Sequence, residues 1–100
     1  MQRLTRTTTR ALLAFLDVPR SWRYGYDLMK VASLSSGTLY PLLARLTDEG
    51  WLESRWEESE FPGKPPRQLY RLTATGRPEA RHALERAQAS WLRPLRTTET

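Results

Sequence analysis

Apolar positions recur along the chain with two different periods, and the changes between them mark its elements. From about Thr7 to Val18, Ala11, Leu12, Phe15 and Leu16 fall on one helical face, the stripe that a 3.6-residue turn brings together. Pro19 stops this helix, because its ring disfavours helical backbone in the preceding residue. After a turn over Pro19–Arg23, Tyr24 to Val31 reads as a short second helix with Tyr24, Leu28 and Val31 or Ala32 inward. Gly25 there marks close packing or a helix start. The third helix has the clearest pattern: Leu39, Leu42, Leu43 and Leu46 form an unbroken apolar stripe. Ser35 or Ser36 is its N-cap, and Gly50 closes it in the left-handed conformation. Pro41 lies past the first turn, where its missing N–H costs a hydrogen bond or bends the helix start.

The period then falls to two. In Trp51–Glu57, Leu52, Ser54 and Trp56 share one face and Glu53, Arg55 and Glu57 the other. A second run, Gln68–Thr73, places Tyr70 and Leu72 together. Between the two, Ser59–Pro66 holds Gly63, Pro62, Pro65 and Pro66, which predicts a hairpin with a long, stiff, basic tip. A last helix begins after Thr73 and runs through about Trp91. Its positions Ala80, Leu84, Ala87, Trp91 and Leu95 lie close to a heptad seam. Pro94 ends it, and Thr97–Thr100 is a frayed tail.

The predicted fold is mainly α with a small β-hairpin, in the order α-α-α-β-β-α. That is the order of a winged helix-turn-helix, whose second paired helix enters the major groove while the first crosses the backbone. On this order residues 1–74 are expected as a winged helix-turn-helix DNA-binding domain, 75–93 as a C-terminal dimerisation helix and 94–100 as a tail.

Composition narrows the function more by exclusion than by signal. At 100 residues the chain makes one domain, with roughly 65% of its unfolded surface buried. It has no cysteine, and His82 is its only histidine. A disulfide framework, a thiolate nucleophile, a zinc site and a nucleophile–base pair are therefore all out of reach. No catalytic residue, metal site or cofactor is expected, and the chain is not read as an enzyme. The longest apolar run, Ala11–Leu16, is far below the roughly 20 residues of a membrane span. The arginines at 3, 6 and 10 superficially suit a targeting peptide. Asp17 and the missing cleavage site argue for a retained, cytoplasmic segment. Charge is uneven: residues 1–34 carry six basic and two acidic groups, 35–58 two against five, and 59–76 three against one. Positive fields near both ends of the reading unit suit a polyanion, though a solubilising surface charge has the same composition.

Tyr24-Gly25-Tyr26-Asp27-Leu28, Ser36-Gly37-Thr38-Leu39-Tyr40-Pro41-Leu42-Leu43-Ala44-Arg45-Leu46 and Glu49-Gly50-Trp51-Leu52 resemble the helix-turn-helix of PadR-type transcriptional regulators. Glu53–Glu57, Gly63–Arg67, Tyr70–Thr73 and Gly76 resemble that family's wing and the start of its last helix. The resemblance spans roughly residues 7 to 90, and the segment Ser36–Leu43 carries most of its specificity. It implies a homodimeric bacterial repressor paired through C-terminal helices, of the compact subfamily. Many such proteins sense small aromatic or cytotoxic compounds. One extra proline in the wing departs from the shortest family pattern and leaves the register of the tip open.

Candidate sites follow. Ser36, Gly37, Thr38, Tyr40, Pro41 and Arg45 flank the leucine stripe and are the expected contacts to double-stranded DNA, against the alternative of capping and wing packing. Lys64 and Arg67 at the tip are expected in or along the minor groove, against an ordinary solvated loop. Arg3, Arg6 and Arg10 add a phosphate-binding arm or a solvated terminus. Leu84, Ala87 and Trp91, with Leu12 and Phe15, form the expected dimer seam, or else complete a monomer core. Phe15, Trp22 and Trp91 are a candidate pocket for a small aromatic effector, with core filling the alternative. His82 is placed on the surface. A winged-helix module that binds protein and not DNA is the competing reading.

Overall fold

The structure is a computed structural model that describes residues 4–99, with side chains described through residue 88. Its elements are α1 (Arg6–Asp17), β1 (Arg23–Tyr24), α2 (Gly25–Ala32), α3 (Ser36–Asp48), β2 (Leu52–Glu57), β3 (Arg67–Leu72) and α4 (Gly76–Glu99). The fold is a winged helix.

Each helix start and stop has a local cause. Thr5 caps α1: its hydroxyl accepts the Thr8 N–H at 3.1 Å, satisfying one of the orphan donors of the first turn. At the other end the Arg23 guanidinium donates to the Ala14 carbonyl at 2.9 Å, a cation where the helix dipole is negative. The α3 terminus is a Schellman turn. Gly50 sits at φ +83°, its N–H bonds the Thr47 carbonyl at 3.1 Å and the Trp51 N–H bonds the Leu46 carbonyl at 3.0 Å.

The β part is larger than the expected hairpin. Three antiparallel strands lie in the order β1-β3-β2, and β1 contributes only the pairs Arg23↔Tyr70 and Tyr24↔Leu69. Tyr24 therefore belongs to the sheet rather than to the inner face of α2, which begins at Gly25. Two residues are too few for an alternation to be visible, so periodicity had no means of finding this strand. The β2–β3 register pairs Leu52↔Leu72, Ser54↔Tyr70 and Trp56↔Gln68, the face assignment that alternation predicted.

One core joins all the helices to the base of the sheet. Leu12, Phe15, Leu28, Leu39, Leu43, Leu46 and Leu72 are fully buried, with Ala80 of α4 beside them and Leu84 packed partly against them. Two expectations fail here. Leu12 and Phe15, at 0% and 1% exposure, are interior residues and cannot belong to a dimer seam. The stripe of α1 faces its own domain. Pro94 does not end α4 either, since the helix continues to Glu99; an internal proline removes one hydrogen bond and bends a helix without having to stop it.

Thr73 closes the base of the wing. Its hydroxyl donates to the Gly50 carbonyl at 2.7 Å and accepts the Gly76 N–H at 2.8 Å. Its own N–H bonds the Trp51 carbonyl at 3.0 Å. One side chain thus caps the start of α4 and ties it to the end of α3.

Candidate nucleic-acid interface

The α3 stripe buries Leu39, Leu42, Leu43 and Leu46, and this fixes which residues face outward. Ser36, Gly37, Thr38, Tyr40, Pro41 and Arg45 are all exposed. No acidic residue occupies the first turn, so the positive end of the helix dipole is left uncompensated by side-chain charge. Ser35 is the N-cap, but its side chain makes no cap bond to the backbone. Its hydroxyl instead donates to the Thr38 hydroxyl at 3.2 Å. Pro41 lies inside the helix and offers no N–H to the carbonyl of Gly37, which is on the exposed side.

The exposed side chains are not equally available. The Arg45 guanidinium donates to the Thr8 hydroxyl at 3.3 Å and lies 4.0 Å from Glu49, so it is turned toward α1. Around it Thr5, Thr7, Thr8, Thr38, Pro41 and Leu42 line a shallow concavity of about 200 Å³. Tyr40 is 42% exposed and lies against Gly25 at the start of α2. Arg6 and Arg10 are exposed on α1, whereas Arg3 lies outside the described residues.

The wing differs from its expected character. Lys64 and Arg67 are exposed, with the Lys64 ammonium 5.5 Å from the Phe61 ring centre and the Arg67 guanidinium 5.1 Å from that of Tyr24. The Tyr24 hydroxyl donates to Glu57 Oε1 at 2.6 Å. That hydrogen bond, with burial and the carboxylate's charge adding to it, holds the phenol above its ordinary range. Glu57, Glu58 and Glu60 line the same concavity of about 650 Å³ as Lys64 and Arg67. The tip is therefore mixed, with three carboxylates against two cations, and not basic. Counting residues 59–76 together concealed this, because Glu57 and Glu58 fall before that segment and were summed with residues 35–58, while Arg71 sits at the far end of β3 with its guanidinium 3.2 Å from Glu53.

Trp22 carries a pair of guanidiniums that sequence reasoning missed. Arg55 and Arg71 lie 4.7 and 4.2 Å from its ring, which presents a π face to cations. The β1 pairing that brings Trp22 beside the sheet has no sequence signal, so neither contact was foreseeable. The expected aromatic pocket loses Phe15, which is sealed in the core; Trp22 is half-buried with two guanidiniums at its ring, and the side chain of Trp91 lies outside the described residues. Of the remaining seam residues, Leu84 packs partly on the core and Ala87 is half-buried. His82 is exposed, 3.7 Å from Glu85. No described helix is long and apolar enough to cross a membrane.

A sequence model of the transcriptional regulator PadR-like family matches residues 12–82, from the core of α1 through the wing into α4. The chain belongs to the PadR-like family. Solved structures agree with this membership. A PadR-like transcription factor from Bacteroides fragilis is 31% identical with a TM-score of 0.64, over 94% of this chain and 90% of that one. A PadR family regulator from Eggerthella lenta is 30% identical with a TM-score of 0.78, over 95% and 86% of the two chains. Bacillus subtilis PadR in complex with operator DNA is 25% identical with a TM-score of 0.64. That alignment covers 83% of this chain and 49% of that one. A search of curated proteins returned no match.

Proposed function

We propose that this PadR-like regulator is a homodimeric repressor that binds a pseudo-palindromic duplex. In this reading α3 enters the major groove, the wing lies along the adjacent minor groove, and α4 pairs the two protomers. The observation that carries it is the outward half of α3. Small polar residues, a phenol and an acid-free helix N-terminus stand together on an exposed surface, and such a surface accepts phosphate oxygens and base edges at close range. The operator complex of the 25% identical Bacillus subtilis protein supports the same use of the fold.

Arg45 is turned toward α1, so few cationic side chains reach base edges from α3, and DNA shape carries much of the selectivity. Leu84, Ala87 and Trp91 remain the proposed seam, without Leu12 and Phe15. Release by a small aromatic effector belongs to the same reading, with Trp22 and Trp91 as its contacts and Phe15, sealed in the core, excluded. One observation favours a second reading, a module that binds protein. Trp56 and Phe61 are 64% and 63% exposed at the wing, next to carboxylates that repel DNA.

Capture of genomic fragments by the purified protein, then titration of the best fragment against salt, decides between them. A short pseudo-palindrome bound at least a thousandfold tighter than random duplex (roughly the lower bound for specific regulators) supports the repressor. Sequence-blind binding that vanishes at physiological salt refutes it and favours the protein-binding module.

A further inference from the structure

Gly25 stands at the first position of α2, buried and with nothing unusual in its backbone. The glycines with positive φ are Gly50 and Gly63 alone among the described residues, so Gly25 is not there to supply a left-handed conformation. A helical position that accepts ordinary φ is one where alanine is normally the more stabilising choice. What a side chain at this position would do is displace the Tyr40 ring. A Cβ on Gly25 would lie 2.9 Å from both Cε1 and Cζ of Tyr40, and closer still to its hydroxyl oxygen. The phenol ring rests directly on the backbone of α2, yet Tyr40 is 42% exposed. It thus lies between the two helices of the helix-turn-helix, its hydroxyl end against α2 and the remainder of the ring open on the outward side of α3.

We infer that Gly25 is a positioning residue for DNA binding: it provides the bare backbone on which the hydroxyl end of Tyr40 is seated, and so fixes the exposed edge of that ring on the outward side of α3. The inference rests on the reading of α3 as the helix that contacts DNA. A tyrosine free to change rotamer would lose conformational freedom on each binding event, and a tyrosine already seated loses little. The seat also keeps the approach of α2 to α3 close, since any larger residue at 25 must push either the ring or the helix away. Tyr24, immediately before it, pairs with β3 of the wing and holds Glu57, so the seat is anchored to the wing as well as to α2.

The test is a Gly25→Ala, Tyr40→Ala double-mutant cycle on the full chain, with the fragment from genomic capture as the DNA. Tyrosine ring signals are first recorded by NMR without DNA, that of Tyr40 being assigned with Tyr40→Phe. Gly25→Ala is expected to shift the Tyr40 signals, to weaken operator binding about tenfold, the worth of one well-made contact, and to have no added effect in Tyr40→Ala protein. Any loss of Tm in Gly25→Ala is expected to disappear in the double variant, where nothing remains to clash. Unmoved Tyr40 signals overturn the seat. An equal further loss of affinity when Gly25→Ala is added to Tyr40→Ala overturns the positioning role. A wild-type protein without sequence preference overturns the DNA reading, and the inference with it, before any variant is compared; the DNA-free spectra then still report separately whether the seat exists.

Discussion

Removing the Lys64 ammonium separates a wing that touches phosphate from one that merely stands beside it. Lys64 is exposed, and its ammonium lies 5.5 Å from the Phe61 ring, an arrangement that leaves most of its charge available. Each phosphate neutralised by a cation contributes about 0.9 to the slope of log affinity against log salt. Lys64→Ala is therefore expected to lower that slope by about 0.9 on every duplex tested. Between 50 and 200 mM salt, the gap between variant and wild type then narrows about 3.5-fold, which is four raised to that power. Arg67 predicts a smaller change. Glu57 lies opposite it in the β2–β3 register, and its guanidinium already rests on Tyr24, so part of its field is compensated before DNA arrives. Glu57→Gln is expected to raise affinity at low salt and to bring the effect of Arg67→Ala up toward that of Lys64→Ala. Fluorescence anisotropy titrations over five salt concentrations measure all three slopes. An unchanged slope in Lys64→Ala would remove the tip from the DNA contact and leave α3 to bind alone. An Arg67→Ala effect as large as that of Lys64→Ala in the presence of Glu57 would refute the compensation argument.

Other outcomes are equally specific. Leu43→Ala, at a position with no exposed surface, is expected to cost about 2–5 kcal/mol, measured by urea unfolding; a loss below 1 kcal/mol would mean that α3 is not the centre of the core. Thr73→Val keeps the shape but removes the hydroxyl that caps α4 and bonds Gly50; a loss of about 1–2 kcal/mol is expected. Burial, with Tyr40 nearby, raises the Tyr70 hydroxyl above the usual phenol range. The folded state thus holds this proton more tightly than the unfolded chain, and the associated stability is present below pH 10 and lost as pH rises through the folded value. Tyr70→Phe should therefore flatten the fall of Tm above pH 10, and an identical fall in both proteins would refute the assignment. Trp91→Ala is expected to move the protein toward monomer in sedimentation equilibrium; a dimer that persists at low micromolar concentration would eliminate the seam.

Much of the fold was legible because it was written in long periods. Four leucines on α3 and the alternation of β2 each repeat often enough to identify a buried face, and Gly50 marked a helix end whose geometry only glycine adopts easily. A period cannot say what covers the face it reveals. Leu12 and Phe15 form a stripe whether it meets the domain's own leucines or another protomer, and only packing decided in favour of the core. Short or nonlocal features left no trace at all. The strand β1 is a two-residue pairing made by a distant partner, and the stacking of Arg55 and Arg71 on Trp22 depends on it. The wing misled for a different reason: a charge sum that begins at residue 59 leaves out Glu57 and Glu58, which the hairpin brings with Glu60 onto the concavity that holds Lys64 and Arg67.

The hydrogen bonds of Thr73 make the wing a purse drawn shut at its neck. Gly50 and Trp51 enter where Thr73 leaves, so everything between them begins and ends at nearly the same point in space. Residues inserted or deleted around Ser59–Pro66 change how far the loop extends without levering apart the two helices attached at the neck, and lengthening a surface loop costs little once its ends are fixed. The reach of the wing and the posture of α3 can accordingly be altered independently of each other. A descendant of this chain could acquire a minor groove contact one step further along the duplex while reading the same bases in the major groove.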